Sequence, residues 1–202
     1  MEQKLDNIAF EHLKTQYPEL REYLQEVGVI SLPPPRFDKL ENAVISTIVG
    51  QMLSRKSAAT IYRRLEARAK QKNLESLTHL EDQDLTACGL SQRKIKTIRS
   101  FEAYIRNNSE YAQKWEKMTY EDLLMNIKGE IYGFADWSIS MIAIFHFNHV
   151  DVFPHADGTI KKALEKLQET MQGATPLMTS KAQPYSSYLA LFLWAAIDQR
   201  VL

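Results

Sequence analysis

Ile131-Tyr132-Gly133-Phe134-Ala135-Asp136-Trp137-Ser138 is a break of small residues between two stretches of apolar helical periodicity. Before it, Thr119 opens a helix whose apolar side is Leu123, Leu124 and Ile127. After it, Trp137 to Phe147 is the most apolar run of the chain. That run is only about eleven residues long, too short to cross a bilayer, and it predicts a buried core helix. The break therefore reads as a tight helix-to-helix hairpin. Gly133 admits a backbone conformation closed to other residues, and Ala135 keeps bulk away from a close approach. Backbone N–H groups at the start of the second helix are suited to a phosphate, with the helix dipole adding to the attraction. A plain structural turn fits the same residues, and both readings stay open on this stretch alone.

Outward from the hairpin the chain reads as all-α. Apolar residues recur at three and four residues, and no stretch alternates as a strand does. A short helix over Asn7 to Gln16 precedes one over Pro18 to Val27, whose Pro-Glu opening suits a helix start. Leu32-Pro33-Pro34-Pro35 must break the helix, because three prolines remove donors and fix the chain extended. It reads as a linker. Phe37, Leu40, Ala43, Val44, Thr47 and Ile48 fall on one helical face that stops near Gly50. A second helix from Ser54 to about Lys70 takes Ser54 as its N-cap. Short helices are expected around Leu85. Ser91 caps another, with Ile95, Ile98 and Phe101 inward and Arg93, Lys94, Lys96 and Arg99 outward. Gly158 to Thr170 and Tyr185 to Ile197 complete the helices, joined by a small, polar loop over 170–183.

The chain has 202 residues, 45% hydrophobic, enough for a sizeable core in one domain or two small lobes. Its lone cysteine, Cys88, excludes an internal disulfide framework and a four-cysteine zinc or iron-sulfur site. No cofactor and no metal are expected. Neither a membrane span nor an apolar leader is read from the sequence, so a cytoplasmic, intracellular setting is expected. The net charge is zero, yet the charges are segregated. Residues 1–42 carry five Lys/Arg against eight Asp/Glu, whereas Arg55 to Lys72 carry seven basic residues against Glu66. A local basic footprint is compatible with a neutral total, and solvated helix faces would look the same.

Asp-Val-Phe-Pro-His-Ala-Asp-Gly, 151–158, places Asp157 at the mouth of a helix. A carboxylate there suits chemistry, and it equally suits an N-cap ahead of Gly158-Thr159. Taken one by one, the residues leave the function undecided.

Five segments in order resemble the helix-hairpin-helix DNA glycosylases, within them the 3-methyladenine glycosylase II branch. They are Ile48-Val49-Gly50-Gln51-Met52-Leu53-Ser54, Gly89-Leu90-Ser91-x-x-Lys94, Tyr132-Gly133-Phe134-Ala135-x-Trp137-Ser138, Asp151-Val152-Phe153-Pro154-x-x-Asp157 and Pro184-Tyr185-x-Ser187-Tyr188 to Trp194. With Phe37-x-x-Leu40 ahead of the first segment, the resemblance runs from Phe37 to Trp194. The resemblance implies two lobes meeting at a DNA-facing cleft, about 1–44 with 136–202 in one and 45–135 in the other.

It also implies roles. Asp157 becomes the catalytic carboxylate, stabilising an oxocarbenium-like sugar and helping to position the attacking water. Trp137 and Trp194 match aromatic positions that sandwich an extruded base, where a cationic alkylated purine gains cation-π attraction; core packing is their other reading. Tyr132 and Met141 fall beside them in the base pocket. Met52 matches an apolar wedge that fills the gap left by the flipped nucleotide, against the ordinary alternative of a buried methionine. Gln51 and Ser54 serve the wedge loop or the opposite strand, and Gly133, Phe134, Ala135 and Ser138 the phosphate-binding hairpin. Trp137 stands where lyases of the family carry a Schiff-base lysine, so hydrolysis by water without strand cleavage is implied. The chain departs from the pattern at Ala135 for a second glycine, at Asp136 beside the expected phosphate, at Ala156 for an acidic residue and at Ser186 for arginine.

The function implied is excision of alkylated purines from damaged double-stranded DNA by a monomer. A non-catalytic helix-hairpin-helix DNA-binding module and a glycosylase for another damaged base are the alternatives.

Overall fold

Eleven α-helices and three short 3-10 turns make up the regular structure among the residues described, 2–170 and 176–202 of a computed structural model, and no strand occurs among them. The chain divides into two units, one of Met1–Pro35 with Ala143–Leu202, the other of Arg36–Ile142. The second contains all of 45–135 and extends past it at both ends.

In the first unit α1 (Glu2–Gln16) leads through a 3-10 turn at Pro18–Leu20 into α2 (Arg21–Val27), and α10 (Gly158–Thr170) and α11 (Ser186–Asp198) follow late in the chain. Ala9 and Leu13 of α1 and Ile160, Ala163 and Leu167 of α10 are spaced by three and four residues, which puts each set on one helical stripe. Both stripes pack with Leu20, Leu24 and the side chains of Leu189, Phe192 and Leu193 in one core. Asp6 is the buried polar exception, and it is satisfied: Ser31 Oγ and Tyr188 Oη donate to it at 2.6 and 2.8 Å. The loop expected over 170–183 falls partly on 171–175, outside the described residues; Thr179–Ala182 forms a 3-10 turn.

The second unit holds α3 (Leu40–Gly50), α4 (Arg55–Gln71), α5 (Asp82–Ala87), α6 (Gln92–Asn107), α7 (Tyr111–Glu116) and α8 (Tyr120–Ile127); the unit boundary falls inside α9 (Asp136–Phe145). Ser54 caps α4 as expected, its Oγ accepting from Ser57 N at 3.2 Å. Thr119 and Asp122 form a reciprocal capping box at α8, which satisfies two N–H groups that the helix start leaves without acceptors.

Three expectations are corrected. Phe37 lies ahead of α3 rather than on it, and its ring sits 5.2 Å from that of Tyr62. Lys94 turns inward, donating from Nζ to Val49 O at 2.7 Å, and burial lowers its pKa. Arg99 likewise folds back onto Thr78 O and Leu80 O while pairing with Asp82. Each cation meets carbonyls at a helix or turn end, where oxygens lack intrahelical donors. Helix α7 had no counterpart in the sequence reading. It brings Trp115 into an aromatic cluster, 5.6 Å from Tyr111, 5.8 Å from Tyr104 and 6.5 Å from Phe134.

The basic run on α4 is partly spent inside the unit. Arg68 Nε and Lys72 Nζ donate to the buried carboxylate of Asp84 at 2.7 and 2.5 Å. These bonds, from Lys72 first and Arg68 second, hold the Asp84 carboxyl below its ordinary 3.8. A carboxyl with a lowered folded pKa contributes stability above its unfolded value and loses it as the pH falls through the folded one. Asp84→Asn is expected to cost stability at neutral pH, measured by urea unfolding. The gap to the wild type should close as the pH is taken below 3.8 toward the folded value; a gap independent of pH would show that charge is not what Asp84 contributes.

Candidate active site

Glycine is required at 133 on two counts. Its φ of +71° lies in the left-handed region, and a Cβ there would sit 2.7 Å from Thr97 Oγ1. The hairpin is held onto α6 by that close approach and by Tyr132 N, which donates to Ser100 Oγ at 2.8 Å. The Tyr132 ring is exposed, with Lys96 Nζ 4.2 Å above it. Phe134 is buried against Trp115, and Ser138 is buried as well. Their side chains therefore offer nothing outward, and only backbone remains for a phosphate at those positions. Ala135 and Asp136 are exposed, and Lys128 pairs with Asp136 at 2.8 Å, offsetting the charge that the sequence places beside the hairpin.

Gln51 ends α3, and its side chain reaches the hairpin. Nε2 donates to Gly133 O and to Ser138 Oγ, both at 2.9 Å. The amide thus ties the α3–α4 turn to the hairpin of the same unit. Lys94 holds the other side of that turn through Val49 O. Between these anchors Met52 adopts φ +56° and is fully exposed. The buried-methionine reading is thereby excluded. A left-handed non-glycine residue costs about 1–3 kcal/mol and persists only where its surroundings fix it, which Gln51 and Lys94 do here. Trp137 and Met141 lie half-buried on α9, with the Trp137 ring edge 3.9 Å from where a Cβ on Gly50 would stand.

The first unit carries Asp157. The approach to it is pinned to the start of α11: Ser187 N donates to Val150 O at 3.0 Å, Val152 N to Ser187 Oγ at 3.0 Å, and Ser186 N and Oγ donate to Asp151 Oδ1. Ser186, in place of arginine, is buried in this junction. Asp157 N then closes a turn onto Pro154 O at 2.9 Å. The Asp157 carboxylate sits directly ahead of α10, and Oδ1 accepts from Thr159 N at 2.9 Å and Ile160 N at 3.0 Å. That is N-cap geometry. A third donor reaches the same oxygen from α11, the indole Nε1 of Trp194 at 3.0 Å. The Trp194 ring packs beside Phe145, centroids 5.5 Å apart.

Sequence reasoning missed Thr97 and Ser100, and it quoted Ser187 only within a motif, with no role of its own. All three act through backbone contacts of small side chains, which leave no periodic or charge signal. Among the described residues no group of three or more His, Cys, Asp or Glu is placed to hold a metal ion, and no helix is long and apolar enough to cross a membrane.

Residues 45–183 match the family described as HhH-GPD superfamily base excision DNA repair protein. DNA-3-methyladenine glycosylase 1 of Schizosaccharomyces pombe is 26% identical over 159 residues, covering 75% of this chain and 69% of that protein. A putative DNA-3-methyladenine glycosylase of Bacillus subtilis is 24% identical over 169 residues, covering 78% of this chain and 58% of that one. Among solved structures, the S. pombe 3-methyladenine DNA glycosylase in complex with abasic DNA superposes with a TM-score of 0.79 at 22% identity, over 94% of this chain and 96% of the other. At that identity the likeness speaks for the fold.

Proposed function

This chain belongs to the HhH-GPD superfamily of base excision DNA repair proteins, and we propose that it is a monofunctional DNA glycosylase releasing flipped, alkylated purines of the 3-methyladenine type from duplex DNA. The observation that carries the reading is the Asp157 carboxylate, held ahead of α10 by two backbone amides and an indole N–H. As the base departs, positive charge develops on the deoxyribose. A fixed anion stabilises that charge with no reorganisation at the moment of reaction, and water completes the hydrolysis. Trp137 occupies the position after the hairpin, and a tryptophan supplies no amine for an imine, so the reaction proceeds by hydrolysis.

On this reading the hairpin backbone at 133–136 and the first turn of α9 meet a DNA phosphate, and Met52 enters the duplex. The S. pombe relative named above is a DNA-3-methyladenine glycosylase, and its solved structure holds abasic DNA, which supports the substrate class and DNA as the partner. The test is release of free base from duplex DNA treated with a methylating agent. Release of 3-methyladenine without strand cleavage is expected. Tight binding with no base released would turn the assignment to a DNA-binding module, and release of an oxidised or deaminated base from suitable substrates would change the lesion.

Met52→Ala keeps a Cβ, and with it the backbone strain, but removes the wedge. It is expected to slow base release about tenfold, a modest part of the few kcal/mol that unstacking costs, with the melting temperature unchanged. An unaltered rate would remove Met52 from the mechanism.

A further inference from the structure

We propose that Trp194 is a positioning residue for Asp157: its indole N–H, and not its ring face, is what the reaction uses. The inference rests on the glycosylase reading above and assigns this side chain a task other than sandwiching the extruded base.

Two backbone amides from the first turn of α10 donate to Oδ1 of Asp157. Both amides belong to one turn, and the terminal torsion of an aspartate is broad, so these two bonds alone leave the carboxylate room to rotate. The indole Nε1 of Trp194 donates to that same oxygen from a different helix, α11, at 3.0 Å. A third donor, from a separate helix, narrows that rotation. The bond is charge-assisted and correspondingly strong. The donor is rigid in turn: the Trp194 ring lies beside Phe145 at 5.5 Å with 33° between the planes, and packs against the core of its unit. Orientation of this kind speeds the chemical step rather than binding, since a carboxylate already aimed at the developing charge pays nothing to turn toward it.

Trp194→Phe separates the two roles, because phenylalanine keeps an aromatic face and loses the N–H. Single-turnover base release at saturating protein reads the chemical step, and affinity for duplex DNA bearing an abasic-site analogue reads binding. Trp194→Phe is expected to slow release about ten- to hundredfold, the effect of losing one hydrogen bond to a charged group, with affinity unchanged. Release at the wild-type rate by Trp194→Phe, with affinity lost only in Trp194→Ala, would overturn the proposal in favour of stacking.

A second measurement does not depend on turnover. The chain has three tryptophans, so a proton–nitrogen correlation spectrum carries three indole N–H signals, and Trp194→Phe identifies one by its disappearance. In Asp157→Ala that signal is expected to move upfield and exchange faster with solvent. An unmoved signal overturns the proposal. A wild type that releases no base defeats the glycosylase reading instead, while the indole signal still reports whether Trp194 holds the carboxylate.

Discussion

Asp157→Asn is expected to release 3-methyladenine from methylated duplex DNA about a hundred- to a thousandfold more slowly than the wild type, the range found when one preorganised electrostatic group is removed from a transition state. The substitution is chosen because it isolates charge. Asparagine is nearly isosteric and caps helices as well as aspartate does. Its Oδ1 remains available to Thr159 N, Ile160 N and Trp194 Nε1, the three donors that meet the native oxygen. Urea unfolding should therefore show a stability within a few tenths of a kcal/mol of the wild type. Only the negative charge opposite the oxocarbenium-like sugar is lost. The two roles read at this residue make different forecasts: a carboxylate that merely caps α10 gives a variant with full activity, whereas a catalytic one gives a folded, inactive protein. Full activity in Asp157→Asn would remove Asp157 from the chemistry.

Gly133→Ala is expected to be the most damaging single methyl in the hairpin. Placing an L-residue at φ +71° costs about 1–2 kcal/mol. The new Cβ would stand 2.7 Å from Thr97 Oγ1, and overpacking of that kind adds about 1–3 kcal/mol. Thr97 is buried and its hydroxyl donates back to Arg93 O at 3.0 Å, so it cannot swing into solvent. The two costs are separable. In the double variant with Thr97→Ala the contact vanishes while the backbone strain stays, so the losses are less than additive. Strict additivity in urea unfolding would show that the steric contact is not the cause.

The helices were legible because their signals are local. Ser54 ahead of α4, Thr119 ahead of α8 and the apolar spacing of α10 are read from a few neighbouring residues, and the chain folds as they indicate. Helix α7 escaped because its six residues are too few for a periodic stripe, and what holds them is the contact of Trp115 with rings from elsewhere in the sequence. Lys94 and Arg99 sit at outward-looking positions by residue type, yet long cationic side chains bend to carbonyls that the sequence does not display. The candidate site divides the same way. Asp157 stands out by its place before a helix, and Met52 by its motif. That Gln51 spends its amide on the hairpin of its unit, and that Trp194 spends its N–H on Asp157, are tertiary facts between residues 82 and 37 positions apart.

The ion cluster on Asp84 reaches beyond folding. A protein that grips DNA through phosphates releases one counterion share for each charge it brings, and the logarithm of its affinity falls with the logarithm of salt by about 0.9 per phosphate neutralised. Of the seven cations between Arg55 and Lys72, Arg68 and Lys72 share the single negative charge of the buried Asp84 carboxylate. Between them the pair has one positive charge fewer to offer a phosphate. A titration of binding against potassium chloride should accordingly run about 0.9 shallower in slope than a count of the run suggests, leaving this protein's hold on DNA less sensitive to ionic strength than its sequence advertises.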